Sequence, residues 1–120
     1  MEQRRVVITG LGAVTPLGLT AEDSWQAVRR GVCGIGPITH YDASAQKVKL
    51  AAEVKDFVPE NYLGRPEAKR MARFTQFAVV AAKQALADAG FSAEQTDPDR
   101  CGVIVSSGIG GQAITESEHS

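Results

Sequence analysis

The stretch Cys101-Gly-Val-Ile-Val-Ser-Ser-Gly-Ile-Gly-Gly111 joins a short apolar run to a glycine-rich end. The run Val-Ile-Val at 103–105 carries no charge and predicts a strand that is buried on both faces. Three glycines within 108–111 cannot continue the strand, and they allow a close approach to the main chain. Ligands bind beyond the carboxyl ends of strands in open α/β sheets. We therefore expect this stretch to form the wall of a binding site, with Ile109 as its one large side chain.

A second apolar run near the N-terminus predicts another buried strand. It covers residues 4–9 and is followed by a glycine-rich turn at 10–18. Thr20, with an acidic residue three positions later, predicts the N-cap of a helix from about residue 21 to residue 30. Two large side chains of this helix are expected to face inward, Trp25 and Val28.

Periodicity predicts the remaining elements. Residues 48–54 alternate apolar with mostly polar positions and predict a half-exposed edge or hairpin strand. Residues 66–89 carry apolar side chains at spacings of three and four, which predicts one long and largely buried helix. Gly31 is expected to end the first helix in the left-handed conformation, and Gly90 is expected to end the second. Residues 112–120 predict a further helix. This order of strands and helices indicates an α/β fold, and the long apolar helix has too little to bury against, so we expect the front piece of a larger protein.

Composition excludes several function classes. The chain has 120 residues, 13 basic against 14 acidic, and few aromatic side chains, so nothing favours nucleic acid or a membrane surface as a partner. No apolar run is long enough for a membrane span or a signal-peptide core. Two isolated cysteines form neither a disulfide framework nor a zinc motif, which fits a reducing, cytoplasmic location.

The segment Gly10-Leu-Gly-Ala-Val-Thr15 lies between a predicted strand and a helix, which is the setting of a dinucleotide-binding fingerprint. Thr15 stands where the third glycine belongs, and Pro16 removes an amide donor from the phosphate cradle. A structural turn is the favoured interpretation. A dinucleotide-dependent oxidoreductase remains the remote alternative.

No catalytic group is visible among the reactive side chains. Cys101 opens a predicted strand and is expected to be a buried structural cysteine, and Cys33 is expected to be a bystander in a loop. His40 and His119 have polar surroundings and are expected at the surface. The serines at 106–107 lack the elbow motif of a nucleophile. No metal site is predicted.

A basic cluster, defined here as Arg65, Lys69, Arg70 and Arg73, crowds the start of the predicted long helix. It is either a solvated helix end or a docking site for an acidic partner. Cations at a helix N-terminus oppose the helix dipole, and this favours a role outside helix stability.

Five segments of the chain match motifs of a known protein family, in the same order and with similar spacing. They are V-V-I-T-G-L-G-A-V-T-P-L-G at 6–18, G-V-C-G-I at 31–35, V-K-D-F at 54–57, R-M-A-R-F at 70–74 and S-S-G-I-G-G at 106–111. Together they resemble the β-ketoacyl-acyl carrier protein synthases of the thiolase-like superfamily. The likeness is greatest to the bacterial condensing enzymes of fatty-acid elongation, and polyketide ketosynthases share much of it.

The resemblance implies an α/β thiolase-like fold, a mixed sheet with packed helices, of which this chain is part of the N-terminal half. Residues 1–120 would be the N-terminal part of the synthase N-terminal domain, ending before the catalytic cysteine. The implied activity is acyl-chain elongation by decarboxylative Claisen condensation. The family's cysteine, in an A-C-x-S/T-G motif, its two histidines and its lysine match no residue here. They are expected beyond Ser120, so no catalytic residue is assigned in this chain and it should be inert alone.

The resemblance also implies partners and two sites. Acyl carrier protein would deliver acyl groups on phosphopantetheine, no metal or redox cofactor would be needed, and the intact protein would be a homodimer. The alternative interpretation is that the intact protein lacks the catalytic cysteine altogether. It would then be a non-catalytic partner subunit, similar to a chain-length factor. The implied acyl-pocket residues are Gly108, Ile109 and Gly110. The implied carrier-docking residues are Arg65, Lys69 and Arg70.

Overall fold

The computed structural model describes residues 3–119 of the chain. Most of its regular structure is helical, with one very short pair of strands. In chain order the elements are α1 (Ala21–Arg29), β1 (Gly36–Pro37), β2 (Leu50–Ala51), α2 (Arg65–Arg70), α3 (Arg73–Asp88) and α4 (Gln112–His119). Single turns of 3₁₀-helix lie at Pro59–Asn61, Ala93–Gln95 and Pro98–Arg100.

Strands β1 and β2 form an antiparallel pair in which Gly36 faces Ala51 and Pro37 faces Leu50. The pairing extends by one hydrogen bond, in which the Ile38 N–H donates to the carbonyl of Lys49 at 3.0 Å. The prediction of a hairpin strand within 48–54 is therefore confirmed, although the ladder is shorter than the alternating pattern. Within residues 3–119 this pair is the whole sheet, so the mixed sheet that the sequence predicted is not found there.

The two apolar runs at 4–9 and 103–105 form no ladder with any described segment. Val6 is 95% exposed and Ile104 is 98% exposed. The prediction of buried strands is thus wrong for this structure. A continuous apolar run is typical of a strand that is paired on both edges and covered on both faces. Residues 3–119 provide neither the pairing strands nor the covering layers for these two runs.

Helix α1 begins and ends as its local signals predict. The Asp23 N–H donates to the Thr20 hydroxyl at 3.1 Å, and Gly31 beyond the last turn has a φ of 68°. The prediction that Trp25 and Val28 face inward is wrong, because Trp25 is 57% exposed and Val28 is also exposed. The buried residue of α1 is the small Ala27, and Trp25 lines an open cleft instead.

The predicted long helix is two helices with a break at Met71 and Ala72. Both residues are extended, with ψ angles of 134° and 152°. The Gln76 carboxamide Nε2 donates to the carbonyls of Ala68, at 2.8 Å, and Met71, at 3.2 Å. In a continuous helix, backbone N–H groups would donate to these two carbonyls. At the break, the side-chain amide of Gln76 donates to them instead. Gly90, with a φ of 61°, follows the end of α3 as predicted.

The hydrophobic core lies between α2, α3 and the segment that precedes them. Its buried residues are Phe57, Leu63, Ala68 and Val80. Away from this core α3 is more open than predicted, because Leu86 and Phe74 are both exposed. The core therefore fixes the first half of α3 and the short helix α2 relative to each other.

Candidate functional site

The main chain of the glycine-rich turn is hydrogen-bonded to side chains of α3. The Leu11 N–H donates to Oδ2 of Asp88 at 2.8 Å, and the Ala13 N–H donates to Oε1 of Gln84 at 3.1 Å. The same Gln84 carboxamide donates through Nε2 to the Leu19 carbonyl at 2.7 Å. Amides that a phosphate cradle would need are thus already occupied, one of them by a carboxylate that would repel phosphate.

The glycines of this turn allow the main chain to lie directly on α3. A Cβ added to Gly10 would collide with the carbonyl oxygen of Ala85, and one added to Gly12 would collide with that of Ala81. This explains the glycine pattern as tight packing against a helix rich in alanine. The structural reading of the turn is confirmed, and the geometry gives the dinucleotide-binding alternative no support.

Three members of the basic cluster, Arg65, Lys69 and Arg70, are exposed on α2. Lys69 and Arg70 lie in the last turn of α2, where a cation complements the helix dipole. The argument that these two cations oppose the dipole is therefore wrong, because the break moves them from a helix start to a helix end. Within residues 3–119 no carboxylate lies within 4.0 Å of any of the three.

Arg73 does not share the surroundings of the other three cations. Its guanidinium carbon lies 5.6 Å from the ring centroid of Phe57 and 5.0 Å from that of Phe77. Its Nη2 donates to the Val54 carbonyl at 3.0 Å. Arg73 is exposed, like the other three, but its guanidinium is engaged with core side chains. The exposed cations without such contacts are Arg65, Lys69 and Arg70.

The glycine loop at 108–111 connects the exposed run at 103–105 to α4. Ile109 is 87% exposed at its tip. The main chain at Gly110 lies against the ring of Phe74, the second residue of α3. Next to this contact is a cavity of about 280 Å³, lined by Phe74, Thr75, Ala78, Val105, Ser106 and Ser107.

Glu53 holds the connection after β1. Its carboxylate accepts hydrogen bonds from the Thr39 hydroxyl at 2.7 Å and from the N–H groups of Thr39 and His40. These bonds, those from Thr39 first, hold the pKa of the Glu53 carboxyl below its ordinary value. The arrangement ties two loops together.

The two cysteines are free and exposed. The prediction that Cys101 is buried is wrong, since the strand it was expected to open has no covering layer. Its Sγ lies 3.4 Å from the Asp97 carbonyl oxygen. His40 and His119 are exposed, as predicted.

Residues 3–119 contain no group of three or more His, Cys, Asp or Glu side chains that could hold a metal ion. In the same part of the chain, no helix combines the length and the apolar character that crossing a bilayer requires.

Three side chains of the sites above carry no strong sequence signal. Gln84 and Asp88 bind the glycine-rich turn, and the only hint is their i, i+4 spacing on an otherwise apolar helix. The contact of Phe74 with the glycine loop joins residues far apart in the chain, so no local pattern could reveal it.

Residues 3–120 match the family model of the β-ketoacyl synthase N-terminal domain. The chain belongs to the β-ketoacyl synthase family. Among β-ketoacyl synthases, it is 48% identical over 120 residues to the 3-oxoacyl-[acyl-carrier-protein] synthase 2 of Synechocystis sp.. It is 45% identical over 119 residues to the protein of that name from Coxiella burnetii. These alignments cover 100% and 99% of the chain.

The chain spans 29% of the length of each of these two synthases. Its structure is similar to a solved ketosynthase, the ishigamide ketosynthase/chain length factor, with a TM-score of 0.69 and 36% identity. That likeness covers 77% of this chain and 23% of the other.

Proposed function

We propose that the chain is the N-terminal part of a 3-oxoacyl-[acyl-carrier-protein] synthase that elongates acyl chains in fatty-acid synthesis. The observation that carries this proposal is the 48% identity, over the whole chain, to a protein of that name. In the proposed reaction the malonyl carbon–carbon bond breaks and releases CO₂. Its electron pair forms the new bond to the acyl carbon, and the enzyme thiolate leaves. The products are a 3-oxoacyl-carrier protein, CO₂ and the free enzyme.

The proposal assigns the reacting groups to residues beyond Ser120. A cysteine, two histidines and a lysine would supply the chemistry, with acyl groups delivered on the phosphopantetheine of acyl carrier protein. The reaction has no net redox change, so no redox cofactor enters the proposal, and no metal is invoked. We further propose a cytoplasmic homodimer with a thiolase-like fold. In it the exposed runs at 4–9 and 103–105 would become inner strands of a mixed sheet.

The direct test is to incubate the full-length protein with acyl- and malonyl-carrier protein. We expect an acyl product longer by two carbons, one CO₂ for each product, and a covalent acyl-enzyme on a cysteine. Release of CO₂ without an extended product, or the absence of an acyl-enzyme, would contradict the proposal.

We also propose that Arg65, Lys69 and Arg70 dock the acidic carrier protein. All three are exposed on one short helix that the core holds in place, and none has a carboxylate partner among residues 3–119. Complementary charge raises association rates and favours the matching partner.

Replacing Lys69→Glu together with Arg70→Glu tests the docking surface. We expect KM for carrier-bound substrate to rise about tenfold or more, because both attractive charges become repulsive. KM for a small thioester mimic should change little. The matched control is Lys47→Glu with Lys49→Glu, which changes the net charge equally at exposed positions outside α2. Equal effects of the two pairs would mean that the docking surface is only a solvated helix end.

The acyl pocket is proposed to include Gly108, Ile109 and Gly110. Ile109 is the one large side chain of the loop and is free to project. We expect Ile109→Phe to shorten the accepted acyl chains by filling space. Ile35→Phe is the matched control, because Ile35 is also an exposed isoleucine between two glycines. Unchanged product lengths in Ile109→Phe would remove Ile109 from the pocket.

A non-catalytic partner subunit is the second candidate. The specific observation in its favour is the structural likeness to the ishigamide ketosynthase/chain length factor. Such a subunit would form no acyl-enzyme, and it would alter product length only when mixed with an active synthase. A polyketide ketosynthase would instead carry its 3-oxo products through further rounds of extension without reduction.

A further inference from the structure

The ring of Phe74 lies directly against the main chain of the glycine loop. A Cβ built on Gly110 would lie 2.6 Å from Cε2 of Phe74 and 2.7 Å from both Cδ2 and Cζ. At Gly111 the corresponding distance to Cε1 is 3.2 Å. With contacts this short, a side chain at 110 would require the ring to shift, so the ring and the glycine form one matched contact.

The helix that carries Phe74 is anchored on both sides of it. Arg73, one residue before, lies over two aromatic rings of the core and donates to the Val54 carbonyl. Gln76, two residues after, is buried and binds the carbonyls at the α2–α3 break. Phe74 itself remains 42% exposed. Its backbone is thus fixed, while its ring is available to the loop.

We propose that Phe74 is a positioning residue, whose ring holds the backbone of Gly110 and thereby fixes where Ile109 projects. The inference rests on the proposed function, since it assigns Phe74 a part in acyl chain-length selection. Phe74 touches no reacting atom. It acts through the loop, because Ile109 is joined directly to the glycine that the ring supports.

The proposal predicts a change of selectivity rather than a uniform loss of rate. Without the ring the loop has more positions available, so Ile109 limits the acyl chain less sharply. A side chain at 110 would separate loop and ring from the other direction. The two changes act on one contact, and their effects should not add.

The test measures kcat/KM of the full-length synthase for a series of acyl-carrier substrates of increasing length. The variants are Phe74→Ala, Gly110→Ala and the double variant. We expect Phe74→Ala to change the ratio of kcat/KM for long and short substrates by about fivefold, and Gly110→Ala to have a smaller effect in the Phe74→Ala background. Phe91→Ala is the matched control, because Phe91 is exposed to a similar degree, at 46%, and it should leave the ratio unchanged.

The unfolding temperature of every variant separates selectivity from general destabilisation. If Phe74→Ala and Phe91→Ala lower it equally but only Phe74→Ala alters the length profile, the positioning role is supported. An unaltered profile in Phe74→Ala, or additive effects of the two substitutions, would overturn it. If Ile109→Phe still shifts the profile in that case, the inference fails and the proposed function stands. If the wild-type protein forms no 3-oxoacyl product, both fail.

Discussion

Gln76 bridges the break between α2 and α3 through its side chain. It is a buried polar residue, and its carboxamide binds two carbonyl groups around the α2–α3 break. An apolar residue of the same size at 76 would leave these carbonyls without that donor. A buried acceptor without a partner costs more than the lost hydrogen bond itself, because it has also lost water.

We therefore expect Gln76→Leu to lower the free energy of unfolding by about 1–3 kcal/mol. Denaturant unfolding of the full-length protein measures this change. Gln26→Leu is the control, since the Gln26 carboxamide only bridges to Glu22 at the exposed surface of α1, and its cost should stay within about 0.5 kcal/mol. A Gln76→Leu protein as stable as the control would mean that the break does not depend on this carboxamide.

At the scale of elements, the pairing of β1 with β2 is reinforced by a titratable group. Glu53 follows β2 and accepts three hydrogen-bond donors from Thr39 and His40, beyond β1. Its carboxyl pKa is lowered in the folded state, chiefly by the Thr39 hydroxyl. A carboxyl with a lowered pKa stabilises the fold fully above its unfolded pKa, and the stabilisation is lost as pH falls through the folded value.

The pairing should consequently loosen in acid. Amide exchange at Thr39 and Ile38 is the measurement, followed by NMR from neutral pH downward. We expect the protection of these amides to stay constant around neutral pH and to decrease once the pH is lower than the ordinary pKa of a glutamate. The Glu53→Gln variant should show little of this pH dependence. Glu60→Gln, which changes an exposed carboxylate on a 3₁₀ turn, should behave like the wild type. A Glu53→Gln protein with the same acid transition would show that another group controls it.

Local signals predict both ends of α1 and the end of α3. The features that depend on long-range contacts do not follow from the sequence. Thr20 and Gly90 act on their immediate neighbours, so their roles follow from sequence. The break at 71–72 is bridged by Gln76, whose carboxamide reaches back to carbonyls that periodicity cannot identify. The apolar patterns at 4–9 and 103–105 predict buried strands. A strand is buried only where other elements cover it, and residues 3–119 contain no such elements for these two runs.

The candidate sites divide in the same way. Ile109 and the cations of α2 could be named from sequence, because each is conspicuous among its neighbours. The positions of Arg73, against two aromatic rings, and of Phe74, against a loop that is distant in sequence, required the fold. The docking and pocket assignments themselves stay predictions until the variants are measured.

The molecule as a whole is more open than a compact domain of its length. Its radius of gyration is 17.8 Å, against about 14 Å for a compact domain of this size. Its accessible surface is 10155 Å², against about 6,200 Å² for a monomer of this mass. The excess includes apolar side chains of both unpaired runs.

We expect the 120-residue chain, produced alone, to bind the dye ANS strongly and to associate as its concentration rises, because unpaired apolar strands seek partners. Light scattering and dye fluorescence, compared with the full-length protein, measure both effects. Replacing Val6 and Ile104 by threonine should weaken them, while the same change at Val28, which is exposed on helix α1, should not. A monomer that binds no dye would contradict this expectation.

The glycine-rich turn has a consequence for synthesis on the ribosome. Leu11 and its hydrogen-bond acceptor Asp88 are 77 residues apart in the chain. At translation speeds of about 5–20 residues per second, the turn leaves the exit tunnel about 4–15 s before α3 can receive it. During that interval the glycine-rich turn at 10–18 has no α3 to pack against, and the apolar run at 4–9 next to it stays exposed. We therefore expect a chaperone that binds short extended apolar peptides to bind residues 4–9 during that interval.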